Sequence, residues 1–340
     1  MAVSSLLQGL VDTVLKGDAT ISKLDPTIRG KVITIYGSNN LGKTRNAVKF
    51  PNPIIIPLEK GCNATSGAVV LKTSTYLDVQ RHVQKLTTNP QLLQALEQEP
   101  MTLIIDGLEN LGLLCQRRLC SKYQVADISE GKGGYGLWGY YQKEMASLIN
   151  DIVSCGYTVV FIGHEQVNKE GYRTLAGDIR NVKPILDNSD IVCYLTSNGV
   201  DENNQVIPSS AWLAETDQFF ARSRFDYMDT YLPEFSASNL IEAIRVGIER
   251  QIEAEGAEVT DFTGQQDMYK SAISMNHAET VQALAEQYDQ LEAIGQLAVW
   301  EETVSEHLDG ITVSEAKPSQ LESLHAIYSD LQCFLEQNMA

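Results

Sequence analysis

Eight residues, Gly37-Ser-Asn-Asn-Leu-Gly-Lys-Thr44, constrain this chain more than any other feature. They follow "VITIY" (Val32 to Tyr36), a β-branched and aromatic run that reads as a buried strand. They precede "KTRNAVKF", which reads as the first turns of a helix. The pattern G-x-x-x-x-G-K-[ST] between a strand and a helix wraps backbone around a phosphate. Gly37 and Gly42 permit angles that a Cβ forbids, so consecutive N–H groups across Ser38, Asn39, Asn40 and Leu41 can turn inward. The helix opening at Lys43, with Arg45 in its first turn, directs its positive dipole end at the same anion. Lys43 is expected to reach the β- and γ-phosphates, and the Thr44 hydroxyl to ligate Mg²⁺. The expected cofactors are ATP and Mg²⁺.

The rest of the chain supplies a scaffold for such a loop. Apolar runs at 52–61, 68–74, 101–106 and 157–166 read as strands, with helical patterns between them. "DIVCYLTS", "SAWLAET" and "QFFARSR" read as three further short strands. The segment "VNKEGYRTLAGDIRNVKP" reads as a polar loop, and "SASNLIEAIRVGIERQIEAEG" as a helix capped by Ser236 or Ser238. Strands alternating with helices argue an α/β fold with a mostly parallel sheet. Beyond about residue 255 the pattern is helical only. The expected organisation is an N-terminal helical segment (1–30), an α/β core (31–254) and an acidic helical region (255–340).

Charge sharpens that division. The net charge is −18, and residues 251–340 carry 17 acidic residues against only Lys270 and Lys317. The front is nearly neutral and has room for a local basic patch; the back would repel nucleic acid by itself. The sequence has no run of 18 apolar residues, so no membrane partner is expected. The start lacks the pattern of a secretory leader. The six cysteines form no C-x-x-C pair and read as reduced cytosolic thiols.

A phosphate loop needs a second metal anchor and a group that activates water. Asp106 ends the strand "LIID" and is the candidate anchor. Glu59 ends the strand after the phosphate-loop helix, where a carboxylate can orient a water in line with the γ-phosphate. Glu109 is the competing base. His164 follows "VVFIG" and is a candidate sensor of the γ-phosphate. Two loops offer aromatics for stacking and cations for phosphates, a combination suited to single-stranded nucleic acid. The first holds Lys132, Tyr135 and Trp138 among glycines. The second holds Lys169, Tyr172, Arg173, Arg180 and Lys183, diluted by Glu170 and Asp178.

In this order, "IYGSNNLGKT", "IIIPLEKG", "LIIDGLENL", "GKGGYGLWGYYQKEM", "VVFIGHEQ" and "ARSR" resemble the RecA-like ATPases. They look most like phage-encoded nucleotide-binding proteins of the RecA-like annealing and recombination group, over roughly residues 28–250. The resemblance implies that Glu59 is the catalytic glutamate, that His164 occupies the polar switch position, and that the two loops face DNA. It also implies that Arg222 and Arg224 reach the ATP of a neighbouring subunit, so that the active form is a homo-oligomeric ring or filament in the cytoplasm of a bacterial host. On this reading the chain hydrolyses ATP and acts on single-stranded DNA in phage-type recombination, annealing or replication. The rivals are a helicase-type motor, an ATP-gated assembly protein with little turnover, and a small-molecule phosphotransferase. The acidic end is expected either to compete with DNA for the basic loops or to bind a protein partner.

Overall fold

The computed structural model describes residues 4–15, 19–269 and 275–338. They fall into two compact units. One comprises residues up to Gln8 together with Ile21–Met268, and the other comprises Gly9–Thr20 together with the chain from Tyr269 onward. Helix α1 (Ser5–Thr13) opens the described chain with Leu6, Leu7 and Leu10 exposed.

The first unit then runs β1 (Val32–Gly37), α2 (Lys43–Ala47), β2 (Pro53–Pro57), β3 (Val69–Val70), α3 (Tyr76–Thr88), α4 (Pro90–Gln98), β4 (Thr102–Asp106) and α5 (Leu108–Tyr123). It continues through α6 (Trp138–Val153), β5 (Thr158–Val167), β6 (Arg173–Leu175), α7 (Ile179–Asn188), β7 (Ile191–Thr196), β8 (Ser210–Trp212), β9 (Arg222–Ser223), β10 (Tyr231–Leu232), α8 (Ala237–Glu255) and α9 (Phe262–Asp267). The strands form one sheet in the order β10-β8-β7-β1-β5-β4-β2-β3, with β6 attached to β5 and β9 to β7. From β7 to β3 the path is parallel, and the antiparallel pairings are those of β8, β9, β10 and β6.

Alternation along the strands builds two cores, one on each face of the sheet. Tyr36, Ile56, Ile105, Phe161 and Tyr194 point to one face, among residues of α3, α5, α6 and α7. Ile35, Ile55, Ile104, Ile162 and Cys193 point to the other, with Leu240, Ile244 and Ile248 of α8. Each such aliphatic burial contributes about 1.5–3 kcal/mol. Ser236, rather than Ser238, caps α8, its side chain accepting from the Asn239 N–H. Cys62, Cys115, Cys120, Cys155 and Cys193 are free thiols, and no helix among the described residues is long and apolar enough to cross a membrane.

Three sequence expectations change. The stretch taken as a polar loop contains β6 and α7; Asp178 caps α7, and Val182 and Ile185 bury its apolar side despite Pro184 inside it. Strand β2 stops at Pro57, so Glu59 lies two residues past the strand and immediately precedes a 3-10 turn at Lys60–Ala64, without a side-chain cap. The core does not close near 254. Its chain continues through Met268 because Phe262 is buried, the Arg29 guanidinium lies 4.0 Å over its ring, and Leu24 exchanges backbone hydrogen bonds with Glu258 and Thr260.

The second unit is a small helical bundle. Helices α10 (His277–Ala293), α11 (Leu297–His307) and α12 (Leu321–Asn338) enclose Leu284, Leu291, Leu308, Leu324, Ile327, Leu331 and Leu335. Asn276 and Glu279 form a capping box that starts α10.

Candidate nucleotide and metal site

Parallel register brings the site together. Gly37 at the end of β1 lies opposite His164 of β5 and Leu195 of β7, and Asp106 ends β4 beside Ile162. The carboxyl ends of the central strands thus share one edge, the expected ligand crevice of an open α/β sheet.

The phosphate loop is held from within. A Cβ on Gly37 would stand 2.7 Å from the Leu195 carbonyl oxygen, so only glycine passes there. Asn40 and Gly42 take left-handed angles, with φ of 63° and 73°. The buried Lys43 folds back, its Nζ donating to the carbonyls of Gly37 at 2.9 Å and Ser38 at 2.6 Å. Burial lowers the Lys43 pKa, opposed by the charges of Glu109, Glu59, Asp106 and Glu165. A bound phosphate would favour the charged ammonium that burial disfavours. The loop borders a cavity of about 440 Å³ whose walls include Asn39, Asn40, Leu41, Thr44, Arg45, Glu59, Asp106 and His164.

The metal side is equally specific. Thr44 Oγ1 donates to Asp106 Oδ2 at 2.9 Å. Asp106 is 3% exposed, and its pKa is pushed up to about 6 by burial, with the Glu59 charge adding to the rise and the Thr44 hydrogen bond opposing it. A Cβ on Gly61 would come within 2.9 Å of Asp106 Oδ2 and 3.2 Å of Thr44 Oγ1, so glycine keeps the space before both oxygens clear. A hydroxyl and a buried carboxylate short of positive charge fit Mg²⁺, which takes few protein oxygens and keeps its waters.

Between the two carboxylates considered as base, geometry separates roles. Glu59 lines the cavity, and Gly107 makes room for it, since a Cβ there would meet Glu59 Cγ at 2.6 Å. Glu109 does not line the cavity. Its Oε1 accepts from the His164 backbone N–H at 3.1 Å and lies 3.3 Å from His164 Nδ1, while its Oε2 is buried without a partner. His164 Nδ1 also lies 3.7 Å from Glu59 Oε1. Glu109 is therefore an anchor that fixes β5 at His164, and Glu59 is the carboxylate free to meet a water. These three residues also form the group, among those described, that has the donor atoms to hold a metal.

Glu165, which sequence reasoning passed over, joins the phosphate loop to what lies behind it. Its Oε1 accepts from Ser38 Oγ at 2.7 Å and its Oε2 from the Tyr194 hydroxyl at 2.8 Å, with Arg173 Nε 3.7 Å away. The available signal was "GHEQ" after five buried residues: on a strand Glu165 must face away from His164.

The residues expected to meet nucleic acid are mostly engaged within the chain. The Arg180 guanidinium sits 4.6 Å over the Trp138 ring and pairs with Asp178. Trp138 packs against the core as α6 begins. Tyr172 donates to Glu215, Arg173 faces Glu165, and Lys183 pairs with Asp187. Tyr135, 88% exposed, and the exposed Lys169 stay open, while the side chain of Lys132 lies outside the described residues.

Arg222 and Arg224 do not join this site. Strand β9 meets β7 at Ile191 and Val192, the end remote from Gly37. Arg222 Nη2 donates to the carbonyls of Leu186 at 2.5 Å and Ser189 at 2.6 Å; Arg224 donates to the Asp187 carbonyl and pairs with Asp190 at 3.4 Å. Both therefore close the C-terminal end of α7, where orphan carbonyls and the negative dipole end attract cations. Arg224 lies just past β9, its backbone N–H still donating to the Asp190 carbonyl, and both side chains reach the Asp187 carbonyl.

Comparison with known proteins agrees with this geometry. The chain is 39% identical over 318 residues, 93% of its own length and 97% of the relative's, to the SPbeta prophage-derived uncharacterized protein YorG of Bacillus subtilis (strain 168). The profile of the AAA domain family matches residues 29–225, which hold the phosphate loop, Glu59, Asp106 and His164. With that match spanning more than half of the chain, around the candidate phosphate and metal site, the protein belongs to the AAA domain family of P-loop ATPases.

Proposed function

We propose that this chain is a Mg²⁺-dependent, RecA-like ATPase that acts on single-stranded DNA in phage-type recombination, annealing or replication. The observation that carries the hydrolytic part is the convergence of Lys43, Thr44–Asp106, Glu59 and His164 around one cavity. Lys43 and the loop N–H groups bind the phosphates, and Thr44 with Asp106 would hold the metal, which supplies charge neutralisation at the transferring group. Glu59 orients the attacking water and takes up its proton. His164, tied to Glu109, holds Glu59 in place. The RecA-like assignment rests on the sequence resemblance and is supported by strand order, with β5 inserted between the phosphate-loop strand and the Asp106 strand.

The DNA part is supported by Glu165, which links the phosphate-loop Ser38 to the β5–β6 hairpin where Lys169 lies. Nucleotide at the loop then changes what holds the hairpin. The action of Arg222 and Arg224 in trans rests on the resemblance alone. A second reading, an ATP-gated assembly protein, is favoured by the internal pairing of Arg173, Arg180 and Lys183. Phosphate release measured with and without single-stranded DNA separates the two. Stimulation that Glu59→Gln abolishes supports the first; nucleotide binding with slow turnover, unmoved by DNA, supports the second.

A further inference from the structure

The helical bundle has a cavity of its own. It occupies about 320 Å³ between Val281, Tyr288 and Asp289 of α10, Trp300 and Val304 of α11, and the turn at Val313. Its walls are mainly apolar, and Trp300 stands edge-on to Tyr288 with ring centroids 5.2 Å apart. Among the described residues, Asp289 is the one charged residue in the wall. Its carboxylate makes no hydrogen bond or ion pair with any described residue. The surroundings are strongly acidic: residues 275–338 carry twelve Asp and Glu residues and one lysine.

We propose that this cavity is the docking site for a basic amphipathic segment of a partner protein. The aliphatic stem of an arginine or lysine would lie along Val281, Val304 and the Trp300 face, and its cationic head would reach Asp289. A guanidinium or ammonium gains from both a carboxylate and an aromatic face, and long basic side chains bury their stems while the head stays polar. The apolar wall selects for a side chain with such a stem. The acidic field around it draws a basic polypeptide and repels nucleic acid, which decides between the two classes of partner. A volume of this size holds one or two side chains rather than a whole helix.

The test titrates the full chain with a synthetic helical peptide of alternating arginine and leucine faces, followed by calorimetry. Three comparators accompany it: the same peptide with leucine replaced by serine, one with arginine replaced by glutamate, and a single-stranded oligonucleotide. Two variants probe the cavity from exposed positions, so that the bundle still folds by circular dichroism: Asp289→Lys reverses the charge, and Ala285→Phe fills the space. The expected result is saturable one-to-one binding of the arginine–leucine peptide, weakened about tenfold or more by either variant. ATP turnover in both variants should match that of the parent chain.

Equal affinity for the serine peptide would reduce the effect to charge alone and overturn the cavity. Unchanged affinity in both variants, or no saturable binding at millimolar peptide, would overturn it as well. Oligonucleotide binding that both variants abolish would replace the protein partner with nucleic acid. Peptide-free self-association that both variants abolish would replace it with a second copy of this chain.

Discussion

The sheet edge at the phosphate loop and the opposite edge beneath α7 both carry charged side chains, and they use them differently. At the phosphate edge, Asp106 is buried with its pKa raised, Glu109 Oε2 has no partner, and Glu59 and His164 face open space. At the other edge, Arg222 Nη2 and Arg224 are held by carbonyls and Arg224 also by Asp190, leaving Arg222 Nε as the buried atom without a partner. A group left short of its complement is poised for a ligand, whereas a group already complemented is holding the fold. The same test divides the residues expected to meet nucleic acid, where Arg180 and Tyr172 are engaged and Tyr135 is not.

The largest effect expected from this contrast is at Glu59. Glu59→Gln should lower turnover by about 10²–10⁴-fold while nucleotide affinity changes little, because a positioned base acts on the transition state. Single-turnover phosphate release and equilibrium binding of a fluorescent ATP analogue would show it. A fall in affinity as large as the fall in rate would place Glu59 in binding instead.

Asp106 comes next, through stability. Its folded pKa, about 6, lies above the ordinary carboxylate value of 3.8, so the folded chain holds the proton more tightly. Stability from this group therefore falls as pH rises between those values, and by pH 7 the cost reaches about 1–3 kcal/mol. Asp106→Asn should raise the melting temperature at pH 7.5 without metal, and the gain should shrink near pH 5. Mg²⁺ should stabilise the parent chain more than the variant. Equal metal effects on the two would remove Asp106 from the metal site.

Arg222 tests the other edge. Arg222→Ala takes the Arg222 donor from the Ser189 carbonyl and leaves the Leu186 carbonyl with only the Ser189 N–H at 3.3 Å, at a cost of about 1–3 kcal/mol in urea unfolding. A folded, equally stable variant with severely reduced turnover would reverse the contrast and make Arg222 a residue that acts in trans. The smallest effect is at Tyr135. Tyr135→Ala should change stability by less than about 0.5 kcal/mol. It should weaken single-stranded DNA binding by about 1–3 kcal/mol if the ring stacks on a base. Trp138→Ala, by contrast, should destabilise the chain, since that ring packs in the core and under Arg180.

Legibility from sequence followed the range of the interactions. The phosphate loop was readable because its constraints are local: two glycines, a lysine and a threonine at fixed offsets between a strand and a helix. Asp106 and His164 were readable because each ends an apolar run, and parallel strands present their ends at one edge. Helix α7 was missed because Pro184 and its polar neighbours obscure the period, which becomes apparent only when Val182 and Ile185 meet the core. The contacts of Arg222 and Arg224 within the chain were not readable because a basic pair looks the same whether it meets a phosphate or the end of a helix.

The sequence by itself determined that this chain builds a phosphate-binding loop on a mostly parallel sheet, since backbone freedom at Gly37 and Gly42 and the period of the apolar runs are properties of neighbouring residues. Tertiary structure alone decided which acid faces the cavity, that Glu165 ties Ser38 to the hairpin, that the two arginines close α7, and that the acidic bundle encloses a cavity around Trp300 and Asp289. Each of those outcomes depends on residues distant in the chain meeting across a sheet or between helices, and the pairing of charge with carbonyl, carboxylate or empty space is settled only at that meeting.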